Sequence, residues 1–237
     1  MAKPRRRRIS PGPCVLCTRV GPRTEEHIPP KNLWPKSQSI RKRCLWVPAC
    51  PKCNSESARD DEYFRIVVAQ NAETGEHPEV KLVEPAIARS LERPEFAGLR
   101  HTILSRAFPV ELRTDAGLYV ERRLAHMVDA KRVQRVISKI VRGLYFLESK
   151  TIMPESHQVS FIVPEQLDRM SLEQRVKAAQ YVNAFQGRSF KVGGPGRVFQ
   201  FSYIVEPQQN GVASLWLLVF FERLSFLAVA VPRAAAA

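Results

Sequence analysis

The chain has 237 residues with 44% hydrophobic content, enough for one full core and a small appended module, which excludes a largely disordered polymer. The formal net charge is +14 and is uneven: residues 1–60 hold fourteen Lys and Arg against four Asp and Glu, a net of +10, and the rest of the chain nets +4. Basic charge gathered in one segment points to a polyanion partner, nucleic acid or an anionic membrane surface, more than to solubility.

Residues 1–12 read as a basic, proline-containing flexible arm. No apolar run follows its charges, so it is no secretory signal. Residues 13–65 form a cysteine module whose punctuation (Gly12-Pro13, Gly21-Pro22, Pro29-Pro30) keeps its elements short. Leu45, Trp46 and Val47 suit a short strand ended by Pro48. A helix is expected from the second cysteine pair through ARDDEYFRIVVAQNA, where Phe64, Val67 and Val68 recur at helical spacing.

Residues 66–107 read as a helical connector cut into short helices by Pro78, Pro85 and Pro94. FPVELRTDAGLYVERRL predicts a β-hairpin turning at Asp115-Ala116-Gly117. Asp129 to Glu148 is the clearest helix, with an apolar stripe of Val133, Val136, Ile137, Ile140, Val141, Leu144 and Leu147. Lys131, Arg132, Arg135, Lys139 and Arg142 read as its solvated face. HQVSFIVP predicts a strand, Ser171 to Phe185 a helix with a capping box to Gln174, and GGPG at 193–196 a loop. RVFQFSYIVE and SLWLLVFF predict strands. The longest apolar stretch, Val212 to Val231, is interrupted by Glu222 and Arg223, where a membrane span tolerates charge least; two buried strands or one long bent strand fit better. Residues 108–233 therefore read as an α+β domain without an assigned role, open to a protein partner or self-association. The alanines after Arg233 read as a tail. A soluble, cytoplasmic protein with no membrane contact is expected.

Four of the five cysteines form two Cys-x-x-Cys pairs, Cys14/Cys17 and Cys50/Cys53. In a reducing compartment such pairs are metal ligands more often than disulfides, and four thiolates close a tetrahedral zinc site. The 32 residues between the pairs exceed a zinc-ribbon gap, so something is inserted there. No thioredoxin-like βαβ pattern supports redox dithiols instead. Cys44 reads as a small buried hydrophobe.

The insert carries Thr24-Glu25-Glu26-His27-Ile28-Pro29-Pro30, and Asn54 directly follows the second pair. The series CVLC, EEHIPP, VPACPKCN and DDEYF resembles the HNH (ββα-metal) endonucleases, in the sub-group with two Cys-x-x-Cys zinc knuckles, over residues 13–65. The resemblance implies a zinc-stapled ββα-metal module, so the fold class becomes α+β with this module followed by the mixed C-terminal domain. It implies phosphodiester hydrolysis, on DNA in preference to RNA, with structural Zn²⁺ and a catalytic Mg²⁺ or Mn²⁺. It places Glu26 as metal ligand, His27 as general base and Asn54 as the helix-borne metal ligand.

Elementary chemistry agrees with these roles. An imidazole titrates near neutrality and can take a proton from water, and Glu and Asn oxygens suit a hard divalent ion. Adjacent strand side chains point to opposite faces, so Glu26 and His27 meet at one site only if the strand is bulged or bent there. Asp61 lies about 10 Å along a helix from Asn54, from ~1.5 Å per residue, so Asp60 or Asp61 is expected in an outer shell. The family's strand Asn, which fixes the loop carrying the base, aligns with Arg43; Asn32 is the nearest Asn upstream, at a different spacing. Arg5, Arg6, Arg7, Arg8, Arg41, Lys42, Arg43 and Lys52 are the expected phosphate contacts. The competing expectation is a zinc-containing nucleic-acid-binding protein without catalysis, which has no use for a base at His27. Equally, Asn54 suits a helix N-cap. His77, His101, His126 and His157 read as ordinary surface or core residues.

Overall fold

The computed structural model describes residues 9–36, 43–114, 116–164, 170–208 and 211–233. Ile9–Pro13 forms strand β1, antiparallel to β2 (Val20–His27), with a bulge between Ile9 and Gly12. This corrects the expectation of a flexible arm through residue 12; residues 1–8 lie outside the described residues. The prolines in ISPGP are tolerated because β1 is an edge strand. β3 (Trp46–Ala49) pairs with the other side of β2, in register from Thr24↔Ala49 to His27↔Trp46. Pro48 does not end β3 but lies inside it, again on an edge. Its carbonyl accepts from Val15 N–H at 3.0 Å.

Helix α1 (Pro51–Glu56) is capped by Cys50 and begins with Pro51, a first-turn position that needs no N–H. Ser57 separates it from α2 (Ala58–Ala69), so the single helix expected here is two. α3 (Pro78–Leu91) runs through Pro85 instead of breaking there. Pro85 lies on the exposed side of α3, where water can serve the carbonyls its ring frees. A 3₁₀ turn (Pro94–Phe96) leads into α4 (Ala97–Leu104), then the hairpin of β4 (Ala107–Arg113) and β5 (Tyr119–His126).

α5 (Ala130–Ser149) starts at Asp129, whose carboxylate accepts from the N–H groups of Lys131 and Arg132. The predicted stripe from Val133 to Leu144 is buried. β6 (His157–Ile162), α6 (Leu172–Asn183), β7 (Lys191–Val192), β8 (Phe199–Gln208), β9 (Gly211–Phe220) and β10 (Leu224–Pro232) follow. The capping box at Ser171 and Gln174 is formed as predicted. The strands make an antiparallel sheet in the order β6-β10-β9-β8-β7. Ser214, Trp216, Leu218 and Phe220 alternate inward along β9. The apolar stretch with a charged interruption is thus a hairpin, with Phe221 and Glu222 at φ 50° and 58° in its turn.

One hydrophobic core runs from Val15 to Ala230. α2 carries it across: Phe64 packs on Phe220 and Phe226, with ring centres 5.3 and 5.8 Å apart, and the Tyr63 hydroxyl accepts from Asp129 N–H at 2.7 Å. The cysteine segment therefore shares its core with the C-terminal sheet. The architecture is mixed α+β, with four clustered cysteines at its N-terminal end.

Candidate functional site

The two cysteine pairs converge. Cys14 and Cys17 lie on the turn between β1 and β2, closed by Thr18 N–H to Cys14 O and Cys14 N–H to Arg19 O, both 2.9 Å. Cys50 and Cys53 lie at the start of α1. The four Sγ atoms lie within 4.8 Å of one another, and none is in a disulfide. Tetrahedral Zn–S bonds of ~2.3 Å require sulfurs about 3.8 Å apart, and Cys17 and Cys50 Sγ are 3.8 Å apart. Cys14 Sγ accepts from Cys50 N–H at 3.2 Å, and Cys50 Sγ from Cys53 N–H at 3.4 Å, contacts that favour thiolate. Burial alone raises the Cys50 thiol, but the Cys53 N–H and neighbouring thiols outweigh it and bring it down to about 7. The set could hold one zinc ion.

Beside the thiols, Glu25, Glu26, His27, Pro30, Lys31, Asn32, Asn54, Ala58 and Asp61 line a cleft of about 310 Å³. The three residues given roles by resemblance thus line one cavity. No bulge separates Glu26 from His27, because the β2–β3 register is unbroken there. The cleft instead forms where β2 ends and the next loop folds back over it.

That loop is held at three points. Ile28 lies under Gly143 of α5, where an added Cβ would come within 2.5 Å of Ile28 Cγ1. Trp34 donates to Pro195 O at 2.8 Å and lies against Gly194. The GGPG loop is therefore part of the scaffold of the cleft. Asn32 donates to Asp61 O and to Glu62 Oε2, both at 3.1 Å, tying the loop to α2. A tie between this loop and its surroundings is what the resemblance seeks at Arg43, an exposed residue in the turn before β3. Asn32 Oδ1 is buried without a partner.

Asn54 donates through Nδ2 to Thr24 Oγ1 at 3.0 Å and to Glu25 O at 2.9 Å. These bonds lock the helix start to β2 and fix the amide orientation. It is not the helix N-cap; Cys50 is. Glu26 is 5% exposed and bonds Lys139 Nζ through Oε1 at 2.7 Å. The same ammonium bonds Asp61 Oδ1 at 2.5 Å and Ser57 Oγ at 3.3 Å. Lys139 is 6% exposed, so its assignment to a solvated face is corrected. Its neighbours on that face are also engaged: Arg135 pairs with Asp60, and Arg142 donates to His157 O. Asp60 thus faces Arg135, away from the cleft lining, whereas Asp61 lines it. Burial pushes the carboxyls of both Glu26 and Asp61 above their ordinary ranges, and one shared ammonium only partly opposes it.

The signal that could have found Lys139 is its place at the edge of the buried stripe, three residues after Val136 and four before Gly143. Lys52 is exposed and lies 3.8 Å from Glu56. Arg5, Arg6, Arg7, Arg8, Arg41 and Lys42 lie outside the described residues. Lys31, exposed at the mouth of the cleft, is a cation the sequence did not single out. No described helix is long and apolar enough to cross a membrane. Comparisons with protein-family models, with curated proteins and with solved structures returned no match.

Proposed function

We propose that this protein is a metal-dependent endonuclease of the HNH type that hydrolyses phosphodiester bonds in nucleic acid, DNA in preference to RNA. The observation that carries this is the shared lining of one cleft by Glu26, His27 and Asn54, beside the four convergent thiols. A binding surface has no need of a histidine in such a pocket. The donor chemistry fits a hard divalent ion: with Nδ2 of Asn54 committed to β2, its Oδ1 remains, and Glu26 keeps Oε2. These two oxygens would hold Mg²⁺ or Mn²⁺. When bound, the ion supplies charge neutralisation at the phosphate and the leaving oxygen. His27, half-buried at the cleft, takes the proton of the attacking water at its imidazole. Lys31 draws the anionic backbone toward the mouth. The cysteine cluster holds the start of α1 in place and takes no part in the chemistry.

One observation favours a second reading, a zinc-containing nucleic-acid-binding protein without catalysis. Lys139 already neutralises Glu26, so the carboxylate does not require an ion. The two readings separate on supercoiled plasmid incubated with Mg²⁺ or Mn²⁺, or with EDTA, using wild type and a zinc-loaded His27→Ala variant. Metal-dependent nicking lost in the variant supports the nuclease. Equal DNA shifts at low salt with no nicking, on branched DNA and RNA as well, support the binding protein.

A further inference from the structure

Lys139 comes from α5, far outside the cysteine segment, yet its ammonium is enclosed among cleft residues. It has three N–H groups. The structure supplies three oxygens: Glu26 Oε1, Asp61 Oδ1 and Ser57 Oγ. The single Ser57 O–H lies 3.3 Å from both Asp61 Oδ2 and Asn54 O and is shared between them, while Asp61 Oδ1 is taken by the ammonium. Glu26 has one oxygen occupied. Among the described residues no partner is seen for Glu26 Oε2 or Asn54 Oδ1.

We infer that Lys139 is a positioning residue for the divalent ion. By taking Glu26 Oε1 and Asp61 Oδ1 for itself, it restricts the ion to Glu26 Oε2 and Asn54 Oδ1 and keeps Asp61 out of the coordination sphere. The inference rests on the nuclease reading for its catalytic consequence, but its effect on ion placement stands apart from it. Without the ammonium, Glu26 and Asp61 are two carboxylates converging on one point. Two carboxylates attract a divalent ion more strongly than one carboxylate and an amide oxygen. The ion then settles where Lys139 was and no longer beside Asn54. Lys139 thus acts through exclusion: the shape of the ion site depends on the oxygens that the lysine withholds.

The test uses the zinc-loaded full-length protein and reads Mn²⁺ affinity by electron paramagnetic resonance, with plasmid nicking in parallel. Asp61→Asn and Glu26→Gln both retain Lys139. Asp61→Asn should leave Mn²⁺ affinity within about threefold, whereas Glu26→Gln should lower it about 10–100-fold. Lys139→Met should bind Mn²⁺ about tenfold more tightly and yet nick about 100-fold more slowly in kcat, with little change in KM. Adding Asp61→Asn to Lys139→Met should bring the affinity back toward wild type, which a merely structural role of Lys139 does not predict. Loss of Mn²⁺ affinity in Asp61→Asn equal to that in Glu26→Gln overturns the inference, even if Lys139→Met fails to fold. So does a folded Lys139→Met with unchanged affinity. If wild type shows the predicted Mn²⁺ pattern but cuts nothing, the nuclease reading falls and the positioning role stands.

Discussion

The Nζ of Lys139 lies 2.7 Å from Oε1 of Glu26, although 113 residues separate them in sequence. The bond joins the central strand of the N-terminal sheet to the long helix of the C-terminal half, with Asp61 of α2 on the same ammonium. Breaking a buried pair by removing one partner leaves uncompensated charge, at about 3–5 kcal/mol. Lys139→Ala is expected to lose stability on that scale in urea unfolding. The triple variant Lys139→Ala, Glu26→Gln, Asp61→Asn is expected to recover most of the loss, because no buried charge is then left over. Equal instability of the single and triple variants would show that the lysine acts through packing alone.

Purified protein is expected to carry one zinc per chain by elemental analysis. Cys50→Ser should abolish it and remove cooperative unfolding, since a structural zinc site supplies folding free energy directly. A variant free of zinc but with an unchanged melting curve would mean that the thiols hold no structural metal.

Asn54 holds β2 through two donated bonds, so its substitution should be felt as stability as well as function. Asn54→Ala forfeits both bonds and should cost about 1–3 kcal/mol. Asn54→Asp should cost at least as much at neutral pH, because a carboxylate oxygen then faces the Glu25 carbonyl where an N–H was. Thermal melting of the two variants side by side decides this; a stable Asn54→Asp protein would contradict the assigned amide orientation.

Burial lowers the His126 imidazole from its ordinary value of 6.5. Its Nε2 is buried without a partner, and its ring meets Tyr63 edge-on. The folded state therefore binds this proton less readily than the unfolded chain. The sign follows: stability is intact above pH 6.5 and falls as the pH drops below that value toward the depressed folded one. Melting temperatures should decline through this window in wild type, and less steeply in His126→Gln. Parallel curves would assign the decline to other groups.

Gly143 is needed for space, not for backbone freedom. Alanine favours a helix by about 1 kcal/mol over glycine. Here its Cβ would strike Ile28, so Gly143→Ala should still destabilise by about 1–3 kcal/mol. Ile28 adjoins His27, so on the proposed nuclease function nicking should fall as well. A more stable Gly143→Ala protein would show that the loop yields freely.

Much of the fold was legible in the sequence because local signals and burial agreed. The α5 stripe, the β4–β5 hairpin and the Ser171 capping box lie where periodicity and turn chemistry place them, with Asp115 of the expected turn outside the described residues, and of the two readings of the last apolar stretch the structure takes the two-strand one. The differences lie at the strand over Ile9–Pro13, the helix break at Ser57, the unbulged Glu26–His27 pair, two prolines and one lysine. Pro48 and Pro85 carry terminator signals in the sequence, yet an edge strand and an exposed helix face tolerate them. The charge of Lys139 points to solvent, and only its tertiary partners show that it is buried. The convergence of the four cysteines could be expected from spacing, whereas the loop ties through Asn32, Gly143 and Gly194 depend on contacts across the chain. No pattern along the sequence announces such contacts.

The Glu26–Lys139 bond also sets an order of events during synthesis. The chain emerges from the ribosome N-terminus first, at about 5–20 residues per second. The thiols of all four cysteines and the segment from Glu25 to Asp61 are outside well before α5 exists. Until Lys139 and Gly143 follow, Glu26 has no cation beside it and Ile28 has no helix above it. A nascent chain therefore has all four cysteines at hand early, yet it holds an unfinished cleft until more than half of the polypeptide has been made. Truncated products that stop before α5 inherit the cysteines and the histidine without the enclosure that arranges them.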